Sequence, residues 1–500
     1  MNSKGIILGL YENESKSDLI NFTSRGEIFD KRLEGKLSEV VQQTGLSGKI
    51  GEARVFNGID NEFGSVCVVG LGKEGVGYCE IESLDEGMEN ARVAAGVGTR
   101  KLRDEGCLSI QVDPMEYPEQ AAEGSSLAAW RFQENKSKEN RLAVPKLELF
   151  DSDEQDAWTR GLYKADAQNL ARSLSDAPPN QMTPHNFAQM ALDVLCPCGI
   201  GVEAHNIDWI ETQKMGSFLA VAKSSCEPPM FLELSYCGDE SNDRPILLAG
   251  SGITYNSGGL GLKECSAMSE FRGSMVGAAI VVATIRAAAT LSLPINITGV
   301  IPLCENMPSG MAFKQGDILQ TCTGKTIGVH DTSNVHRLVL SDTLMYGQKA
   351  HKPRLVVDVA SATAEIREAL GGGATGVFSN SDFVWNQIRK AGALTGDRVW
   401  RLPLWDYFTT KVKNYSNFDL SNKGHGKGQP CLGAAFLKEF VPCVDFLHLD
   451  VNGTAKLKRG AGLPYLENGR MTGRPTRTLI QFLHQLSCPE EAARQLSEMN

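Results

Sequence analysis

The sequence predicts an α/β protein with two domains, a smaller N-terminal α/β domain and a larger C-terminal domain with a central, mostly parallel sheet flanked by helices. The chain has 500 residues, a length that suggests two or three domains. Short strand candidates alternate with helical stretches along the chain, as they do in α/β units. In the second part the strand candidates are near-continuous apolar runs, which is typical of a sheet buried between two layers of helices.

We assign residues 1–151 to the N-terminal domain. Its strand candidates are short and are separated by longer stretches with helical character, the pattern of a compact α/β unit. The strands are predicted at 5–10, 53–56, 65–70 and 108–112, and helices at 84–102 and 119–131.

A connecting helix is predicted over 152–175, followed by a C-terminal domain over 176–500. Trp158, Leu162 and Ala165 recur at helical spacing in the connecting segment. In the C-terminal domain the strands are predicted at 231–234, 246–249, 295–301, 355–359 and 446–449.

The C-terminal domain is organised around the stretch 246–346. A short apolar strand leads into a turn rich in Gly, Ser and Asn, and Lys263 follows on the same loop. Gly258 and Gly259 free the backbone of this turn for conformations and close approaches that other residues do not allow. Loops at strand ends are where open α/β sheets place their functional sites.

An apolar helix is predicted next, over 269–290, with Ser269 as its N-cap. Small residues such as Gly277 along this helix allow tight packing against a sheet. A second loop, at 329–337, ends in a further helix. The two loops together define the candidate site.

Three motifs in this stretch resemble the leucine aminopeptidase family, the cytosol aminopeptidases that use two metal ions per site. The family signatures read roughly GKGITFDSGG, RADMGGAA and NTDAEGRL, and the corresponding runs here are GSGITYNSGG, RGSMVGAA and DTSNVHRL. Similarity continues through INITGVIPLCENMPSG, GATGVFSNS, TGDRVWRLPL, AAFLKEFV and MTGRPTRTLIQFL, so that it covers nearly all of the chain. The resemblance implies the family fold, with an N-terminal domain that carries no catalytic residues.

The family's metal ligands are a Lys, three Asp and a Glu. By this resemblance they fall on Ser251, Asn256, Ser274, Ser333 and Val335, so every ligand is replaced and no carboxylate is left among them. The family's two other catalytic groups, a Lys and an Arg that holds bicarbonate, match Lys263 and Arg337.

These replacements remove the chemistry of a two-metal site. Two divalent cations carry four positive charges, and they require anionic oxygen or imidazole ligands rather than amides, hydroxyls and a methyl pair. Without metal there is no Lewis acid and no activated water. We therefore expect no metal cofactor. Neutral side chains also suit an empty site, since clustered carboxylates repel each other when no cation balances them.

Lys263 and Arg337 admit two interpretations. They could form a retained pocket for an anion such as bicarbonate, phosphate or a carboxylate. Alternatively, they are buried cations that pair with Glu264, Glu270 or Asp331. Neither residue supplies a nucleophile, so retention of both does not restore catalysis.

Two further groups of side chains are candidates for chemistry. His330, Asp331 and His336 on the second loop could rebuild a metal site, although their spacing matches no ligand pattern on one helix face. His448 and Asp450 share one face of a strand, but no serine is placed to complete a triad, so a satisfied core histidine is the favoured interpretation.

The substrate pocket differs from that of the family as well. Ser257 is expected to serve the turn, because no base can be assigned to it. Phe271 stands where the family has a pocket Met, and Ala364, in the run 361–365, stands where it has a Gly. A bulky ring and an added methyl would narrow the seat of a peptide.

Composition limits the other functional classes. The net charge is −10 and no basic block stands out, which argues against nucleic acid as a partner. The apolar runs in the sequence are too short to predict a membrane-spanning helix. The thirteen cysteines are odd in number and scattered, with one close pair at Cys196 and Cys198, so a reducing compartment is expected. The N-terminus shows no leader, which predicts a cytoplasmic protein.

The first hypothesis is therefore an inactive leucine aminopeptidase homologue kept as a structural protein. The family assembles as hexamers of two trimers stacked back to back, and a homo-hexamer is expected here. Degenerate members of this kind resemble sperm-type leucyl aminopeptidases, structural proteins of sperm tails associated with mitochondria, which this chain would join if a leader had been removed. The alternatives are an aminopeptidase with residual or altered metal-dependent activity, and a regulatory subunit that assembles with active homologues.

Overall fold

The computed structural model describes residues 4–12, 20–241, 244–456 and 463–488. Residues 1–3, 13–19, 242–243, 457–462 and 489–500, which belong to the predicted domain ranges, lie outside this description. The architecture is the predicted α/β fold with two main sheets, a smaller one in the N-terminal part and a larger one in the C-terminal part.

The N-terminal sheet has six strands among the described residues and the order β3-β4-β1-β7-β8, with β2 on β1. Neighbours β4, β1, β7 and β8 run parallel, while β3 and β2 pair antiparallel. β5 and β6 form a separate two-stranded sheet. The strands of this part are β1 (Lys4–Tyr11), β2 (Asn21–Phe22), β3 (Ala53–Asn57), β4 (Ser65–Gly72), β5 (Tyr78–Cys79), β6 (Leu84–Asp85), β7 (Ser109–Val112) and β8 (Lys146–Leu149). All four strands that the sequence predicts in this part are confirmed.

Helices cover both faces of this sheet and lead out of it. The helices are α1 (Ser24–Arg32), α2 (Lys36–Thr44), α3 (Glu86–Asp104), α4 (Pro118–Ala129) and α5 (Gln155–Asp176), with a 3₁₀ turn at Lys138–Asn140. Asp85 caps α3 by accepting a hydrogen bond from the Met88 N–H, and Pro118 occupies the first turn of α4, where its missing N–H costs nothing. Helix α5 is the predicted connecting helix and packs against both α4 and the C-terminal part.

The C-terminal sheet has nine strands among the described residues, in the order β18-β17-β20-β16-β11-β13-β10-β9 with β12 on β13. Its centre is parallel, and β9, β10 and the β17–β20 pair are antiparallel. The C-terminal part also has a separate three-stranded sheet of β14, β15 and β19. The strands of both sheets are β9 (Gly201–His205), β10 (Met230–Cys237), β11 (Ile246–Gly250), β12 (Gly252–Asn256), β13 (Asn296–Asn306), β14 (Ile318–Gln320), β15 (Thr326–Gly328), β16 (Leu355–Ala360), β17 (Thr375–Ser379), β18 (Val399–Arg401), β19 (Leu420–Ser421) and β20 (Asp445–Asp450).

Two apolar layers enclose the central strands, as the near-continuous apolar runs predict. One layer lies under α6, α9, α12 and α15, and the other under α8, α10 and α14. The helices are α6 (Pro184–Leu195), α7 (Ile207–Thr212), α8 (Gly216–Ala222), α9 (Val276–Thr290), α10 (Val335–His351), α11 (Glu365–Leu370), α12 (Asp382–Thr395), α13 (Asp406–Lys413), α14 (Gln429–Lys438) and α15 (Thr476–Ser487), with a 3₁₀ turn at Cys196–Cys198.

The predicted start of the central helix at Ser269 is wrong. Residues Cys265–Met275 form 3₁₀ turns, and the α-helix begins only at Val276. The Arg272 side chain donates to the Ser269 carbonyl and to Asp176 at the end of α5, so this segment is held by side-chain contacts that a regular α-helix would not place there. Gly273, a poor helix former, lies just before the transition.

Helix α9 packs as closely on the sheet as its small residues predict. A Cβ at Gly277 would lie 2.1 Å from the Val359 carbonyl oxygen of β16, which no side chain can accommodate. The run Cys265–Thr290 is long and apolar enough to cross a membrane by length and composition alone, but 83% of its most apolar window is buried inside the fold. Such burial is typical of a core helix of a folded domain.

A buried ionic network joins the two parts of the chain. The Glu123 carboxylate of α4 accepts from the Arg92 Nε of α3 at 2.7 Å and from the Arg477 Nη1 of α15 at 2.6 Å. Arg92 also donates to Glu89, whose second oxygen accepts from the Tyr465 hydroxyl at 2.9 Å. Both guanidiniums and the shared carboxylate are excluded from solvent, so each charge depends on its partners for stabilisation.

Candidate functional site

The candidate site lies at the carboxyl ends of four strands, where the topology brings distant parts of the sequence together. Ser251 follows β11, Asn256 ends β12, Asn306 ends β13 and Ser361 follows β16. The strands β11, β12, β13 and β16 are joined by parallel pairings, so these ends share one edge of the sheet. A cavity of about 330 Å³ opens there, lined on its polar side by the loops after β12 and before α10.

Asn256 is held by three hydrogen bonds. Its Oδ1 accepts from the Gly258 N–H at 3.1 Å and from the Asn306 Nδ2 at 2.9 Å, and its Nδ2 donates to the Ser333 carbonyl at 3.4 Å. The turn depends on glycine as predicted, because Gly258 has a φ of 93° and a Cβ there would lie 2.5 Å from the Gly261 carbonyl. The amide therefore organises the turn, and both of its polar atoms are in use.

Ser251 and Val335 are both buried at this edge of the sheet. The Ser251 Oγ shares a hydrogen bond of 2.7 Å with the His336 Nδ1, and all three residues are buried. Val335 is the first residue of α10 and belongs to the apolar layer under that helix. Ser274, at the end of the 3₁₀ segment, lines the cavity beside them.

Ser333 turns toward a neighbour on its own loop. Its backbone N–H and its hydroxyl donate to the Asp331 Oδ1 at 2.8 and 2.7 Å. The second Asp331 oxygen lies 3.8 Å from the Lys423 ammonium. The Asp331 carboxylate thus accepts hydrogen bonds within its own loop and lies near the cation of Lys423.

The five positions Ser251, Asn256, Ser274, Ser333 and Val335 do not fit a pair of divalent cations. They offer three hydroxyls, an amide and an apolar side chain, with no formal charge among them. Divalent zinc or manganese requires anionic oxygen or imidazole donors, and the amide and two of the hydroxyls already have protein partners.

Lys263 faces the cavity and lies over an aromatic ring. Its ammonium is 4.1 Å from the centroid of the Phe271 ring, a cation–π contact. Burial lowers the pKa of Lys263 from its usual value, and the negative charges of Asp331 and Glu365 oppose this shift. Of the carboxylates considered as partners for it, Glu270 lies 2.9 Å from the Lys456 ammonium and Asp331 is near Lys423.

Arg337 is buried and holds a loop rather than a carboxylate. Its Nη1 donates to the Asn422 carbonyl at 2.8 Å, and its Nη2 donates to the carbonyl and the side-chain Oε1 of Gln429 at 3.0 and 3.2 Å. Burial lowers the pKa of Arg337 to about 10, against the negative charges of Asp450, Glu365 and Asp331. The guanidinium fastens the segment before α14 to α10, while the anion-pocket interpretation of Lys263 and Arg337 stays a prediction.

His336 is held neutral by its surroundings. Burial, followed by the positive charges of Lys263, Arg337 and His448, lowers the pKa of His336 to about 3. An unfolded chain protonates histidine near pH 6.5, so between that pH and about pH 3 the unfolded state binds a proton that the folded state does not. Stability contributed by the neutral imidazole is therefore lost as the pH falls through this window.

We expect His336→Gln to flatten the acid side of the stability profile. Between pH 6 and pH 5 the unfolding free energy of the natural protein should fall by about 1 kcal/mol more than that of the variant, since one extra proton on the unfolded chain corresponds to about 1.4 kcal/mol per pH unit. Urea unfolding at the two pH values measures this difference. Equal slopes for both proteins would mean that protonation of His336 does not couple to folding.

The three donors His330, Asp331 and His336 do not converge on one point. The His330 Nδ1 bonds the Ser421 Oγ at 2.9 Å, while Asp331 and His336 bond Ser333 and Ser251. In the described part of the chain, one group of at least three His, Cys, Asp or Glu atoms is close enough for a metal ion, and it lies elsewhere, at Glu203, His205 and Glu233.

His448 is a satisfied core histidine, as the sequence favours. It lies opposite Asp358 on the neighbouring strand, and its Nδ1 is 2.6 Å from the Asp358 Oδ1. Asp450 accepts from the Ala362 N–H at 3.1 Å and from the Thr363 hydroxyl at 2.5 Å. Burial raises the pKa of both Asp358 and Asp450, and the neighbouring His448 opposes this shift in each.

Three further residues, Ser257, Phe271 and Ala364, lie in the turn or the cavity as the sequence predicts. Ser257 serves the turn, since its hydroxyl donates to the Asn306 carbonyl at 2.7 Å and accepts from the Gly259 N–H at 3.2 Å. Phe271 and Ala364 both line the cavity, together with Asn256.

Sequence reasoning missed Asn306 and Thr332, which hold the two loops together. The Asn306 Nδ2 donates to both Asn256 and the Thr332 carbonyl. The Thr332 hydroxyl donates to the Gly258 carbonyl at 2.9 Å and accepts from the Gly261 N–H at 2.8 Å. The one signal for Asn306 is a polar residue at the carboxyl end of a long buried strand.

Comparison with known proteins agrees with the two-part α/β fold described above. The model of the cytosol aminopeptidase family, catalytic domain, matches residues 169–480, and the model of the N-terminal domain of the same family matches residues 7–139. The chain is 44% identical over 489 residues to the cytosol aminopeptidases of Sus scrofa and Homo sapiens, a match that covers 97% of this chain and 93% of each relative.

Solved structures give the same result for the fold. The bottromycin maturation enzyme BotP in complex with Mn superposes with a TM-score of 0.82 at 27% identity, covering 97% of this chain and 100% of that one. A tomato leucine aminopeptidase mutant superposes with a TM-score of 0.81 at 23% identity, covering 97% and 94%. Together with the family models, which match most of its length, these similarities show that the chain belongs to the cytosol aminopeptidase family.

Proposed function

We propose that this chain is a catalytically inactive cytosol aminopeptidase homologue that serves as a structural protein. The observation that supports this most directly is the hydrogen bonding at the edge of the C-terminal sheet. At the five positions where the family places its metal ligands there are neutral side chains, and Ser251, Asn256 and Ser333 are bonded to His336, Asn306 and Asp331. Three of the five side chains thus have protein partners in place of a cation.

The two matching catalytic positions do not supply the missing chemistry. Lys263 is stacked on Phe271, and Arg337 is committed to backbone carbonyls before α14. Peptide hydrolysis needs a nucleophile, which the family obtains from metal-bound water. A cationic side chain that polarises a carbonyl does not replace it.

The test is hydrolysis of leucyl amides by the pure protein with Mn²⁺ or Zn²⁺ added, beside porcine cytosol aminopeptidase treated in the same way. We expect no hydrolysis above the blank. Metal content is measured on a His205→Asn variant, so that the separate group at Glu203, His205 and Glu233 does not contribute, and we expect no stoichiometric manganese or zinc there.

Activity together with metal in that variant would overturn the proposal in favour of an aminopeptidase with residual or altered activity. In that case His336→Ala should abolish metal binding, because His336 is the buried imidazole nearest the five positions. Unchanged metal binding in His336→Ala would exclude that rebuilt site as well.

We further expect a homo-hexamer that forms without added metal and resists chelators. The proposed assembly stacks two trimers through the C-terminal parts, with the N-terminal parts outermost. The neutral network at Ser251, Asn256 and Ser333 needs no cation to hold the sheet edge together, so EDTA should leave the assembly intact. Light scattering in excess EDTA measures this, with the mass of six chains as the expected result.

A monomer or dimer in EDTA, beside a hexamer without it, would mean that metal contributes to assembly, and the structural half of the proposal would fail. The proposed location is the cytoplasm, with sperm-tail mitochondria for a sperm-type member. Assembly with an active homologue is the remaining alternative. Recovery of such a homologue with this chain by pull-down from native tissue would favour a regulatory subunit.

A further inference from the structure

A second cluster of metal-binding side chains lies far from the candidate site, at the outer edge of the C-terminal sheet. Strands β9 and β10 pair antiparallel there, and Glu203 lies directly opposite Glu233. His205 is two residues after Glu203 and therefore projects from the same face of the sheet. Two carboxylates directly opposite each other on one face are destabilising unless a positive charge lies between them.

The donor atoms have the separations of a metal site. The His205 Nε2 lies 2.9 Å from the Glu233 Oε1 and 3.7 Å from the Glu203 Oε2. All three donor atoms lie within 4.8 Å of one another. Around a tetrahedral zinc ion with bonds of about 2.0–2.2 Å, two ligand atoms are about 3.4 Å apart. The observed distances fall on either side of that value.

Neighbouring side chains fix the donors in place. The His205 ring is stacked on the Trp209 indole, with centroids 3.9 Å apart and planes 7° apart. The Glu233 carboxylate accepts from the Tyr346 hydroxyl at 2.7 Å, and its Oε2 lies 2.8 Å from the His351 Nε2 at the end of α10. Metal ligands in proteins are commonly oriented by just such outer hydrogen bonds.

The cluster is also accessible and correctly charged. The Glu203 side chain is 77% exposed, whereas those of His205 and Glu233 are mostly covered, so an ion can enter from the Glu203 side. Two carboxylates balance the charge of one divalent cation.

We propose that Glu203, His205 and Glu233 bind one divalent transition-metal ion, with zinc preferred. One imidazole and two carboxylates are donors that zinc accepts, and water completes the coordination. His351 then orients Glu233 from outside. The ion joins β9 to β10, and through His351 to α10, so that it stabilises the edge of the sheet. This site is independent of the five neutral positions and of any peptidase activity.

The test is zinc titration of the full-length assembled protein, stripped with EDTA and kept reduced. We expect one ion per chain and a zinc-dependent rise in the thermal midpoint. Glu203→Gln and His205→Asn should each weaken binding by at least about 100-fold, and His351→Gln by about 10-fold, because loss of an outer hydrogen bond typically costs about 10- to 100-fold. His185→Asn, which changes an exposed histidine on α6, is the matched control and should bind as the natural protein does.

Glu203 is exposed, so its replacement leaves folding intact and keeps the test decisive even if a variant at Glu233 were unstable. The Co²⁺-loaded protein should show weak absorption of nitrogen and oxygen ligands. An intense thiolate band would assign the ion to the free cysteines and overturn the proposal. So would zinc uptake that is unchanged in both Glu203→Gln and His205→Asn, or no stoichiometric uptake by the natural protein.

Discussion

Glu123→Ala is expected to destabilise the protein by about 3–5 kcal/mol, because it leaves two buried guanidiniums without their shared counter-charge. Arg92 and Arg477 both donate to this carboxylate, and none of the three side chains is more than 1% exposed. Glu123→Gln keeps the side-chain volume and removes the charge, so it should reproduce most of the loss. Urea unfolding of the variants and the natural protein measures the change.

The matched control is Glu82→Ala. The Glu82 carboxylate also joins the two parts of the chain, through Arg398 at 2.8 Å, but both side chains are at least one-third exposed. An exposed ion pair contributes about 0–1 kcal/mol, so this variant should remain close to the natural protein. If Glu123→Ala cost no more than Glu82→Ala, the buried network would not be a main source of cohesion between the two parts.

The second large effect is expected when the five neutral positions are changed together. A variant with Ser251→Lys, Asn256→Asp, Ser274→Asp, Ser333→Asp and Val335→Glu carries four carboxylates, which balance two divalent cations. It should bind two Mn²⁺ per chain at this site and hydrolyse leucyl amides. Its thermal midpoint should rise on metal addition, because the ions bind only the folded chain.

Val335→Glu alone is the informative control. It adds one buried carboxylate and leaves four ligands missing, so it should bind no metal at this site and show no activity. It should also be less stable than the natural protein, since an unpaired charge at a fully buried position is costly. Activity from this single change would show that the assignment of the ligand positions is wrong. A folded fivefold variant that takes up no more Mn²⁺ than the natural protein would show the same.

Much of the fold follows from sequence because the chain is locally consistent. Strands β1, β4, β11, β16 and β20 are apolar runs bounded by turn residues, and each is confirmed. The strand β9 was not predicted. In its sequence GVEAH, only Val202 and Ala204 carry apolar side chains. An edge strand does not need to be apolar on both faces, so this segment shows no apolar run.

The sequence predicts which residues occupy the candidate site, but it does not predict which of them contact each other. Resemblance assigns the five positions of the family's metal ligands and the turn glycines, which lie in or beside recognisable motifs. The bond from Asn306 to Asn256 spans 50 residues, and the Ser251–His336 bond spans 85. Such pairs depend on which strand ends the topology brings together, and a single sequence carries no signal for that. The 3₁₀ start before α9 was missed for the same reason, since Arg272 bonds to Asp176 across 96 residues.

Strand β9 has a consequence for behaviour at high concentration. It ends the order of the large sheet in the described part of the chain, so one row of its backbone groups has no neighbouring strand. An open edge of this kind can recruit a strand from another molecule and start aggregation. β9 is only five residues long and carries an outward, exposed Glu203, two features that discourage such pairing. The short, charged edge thereby limits strand pairing between molecules at high concentration.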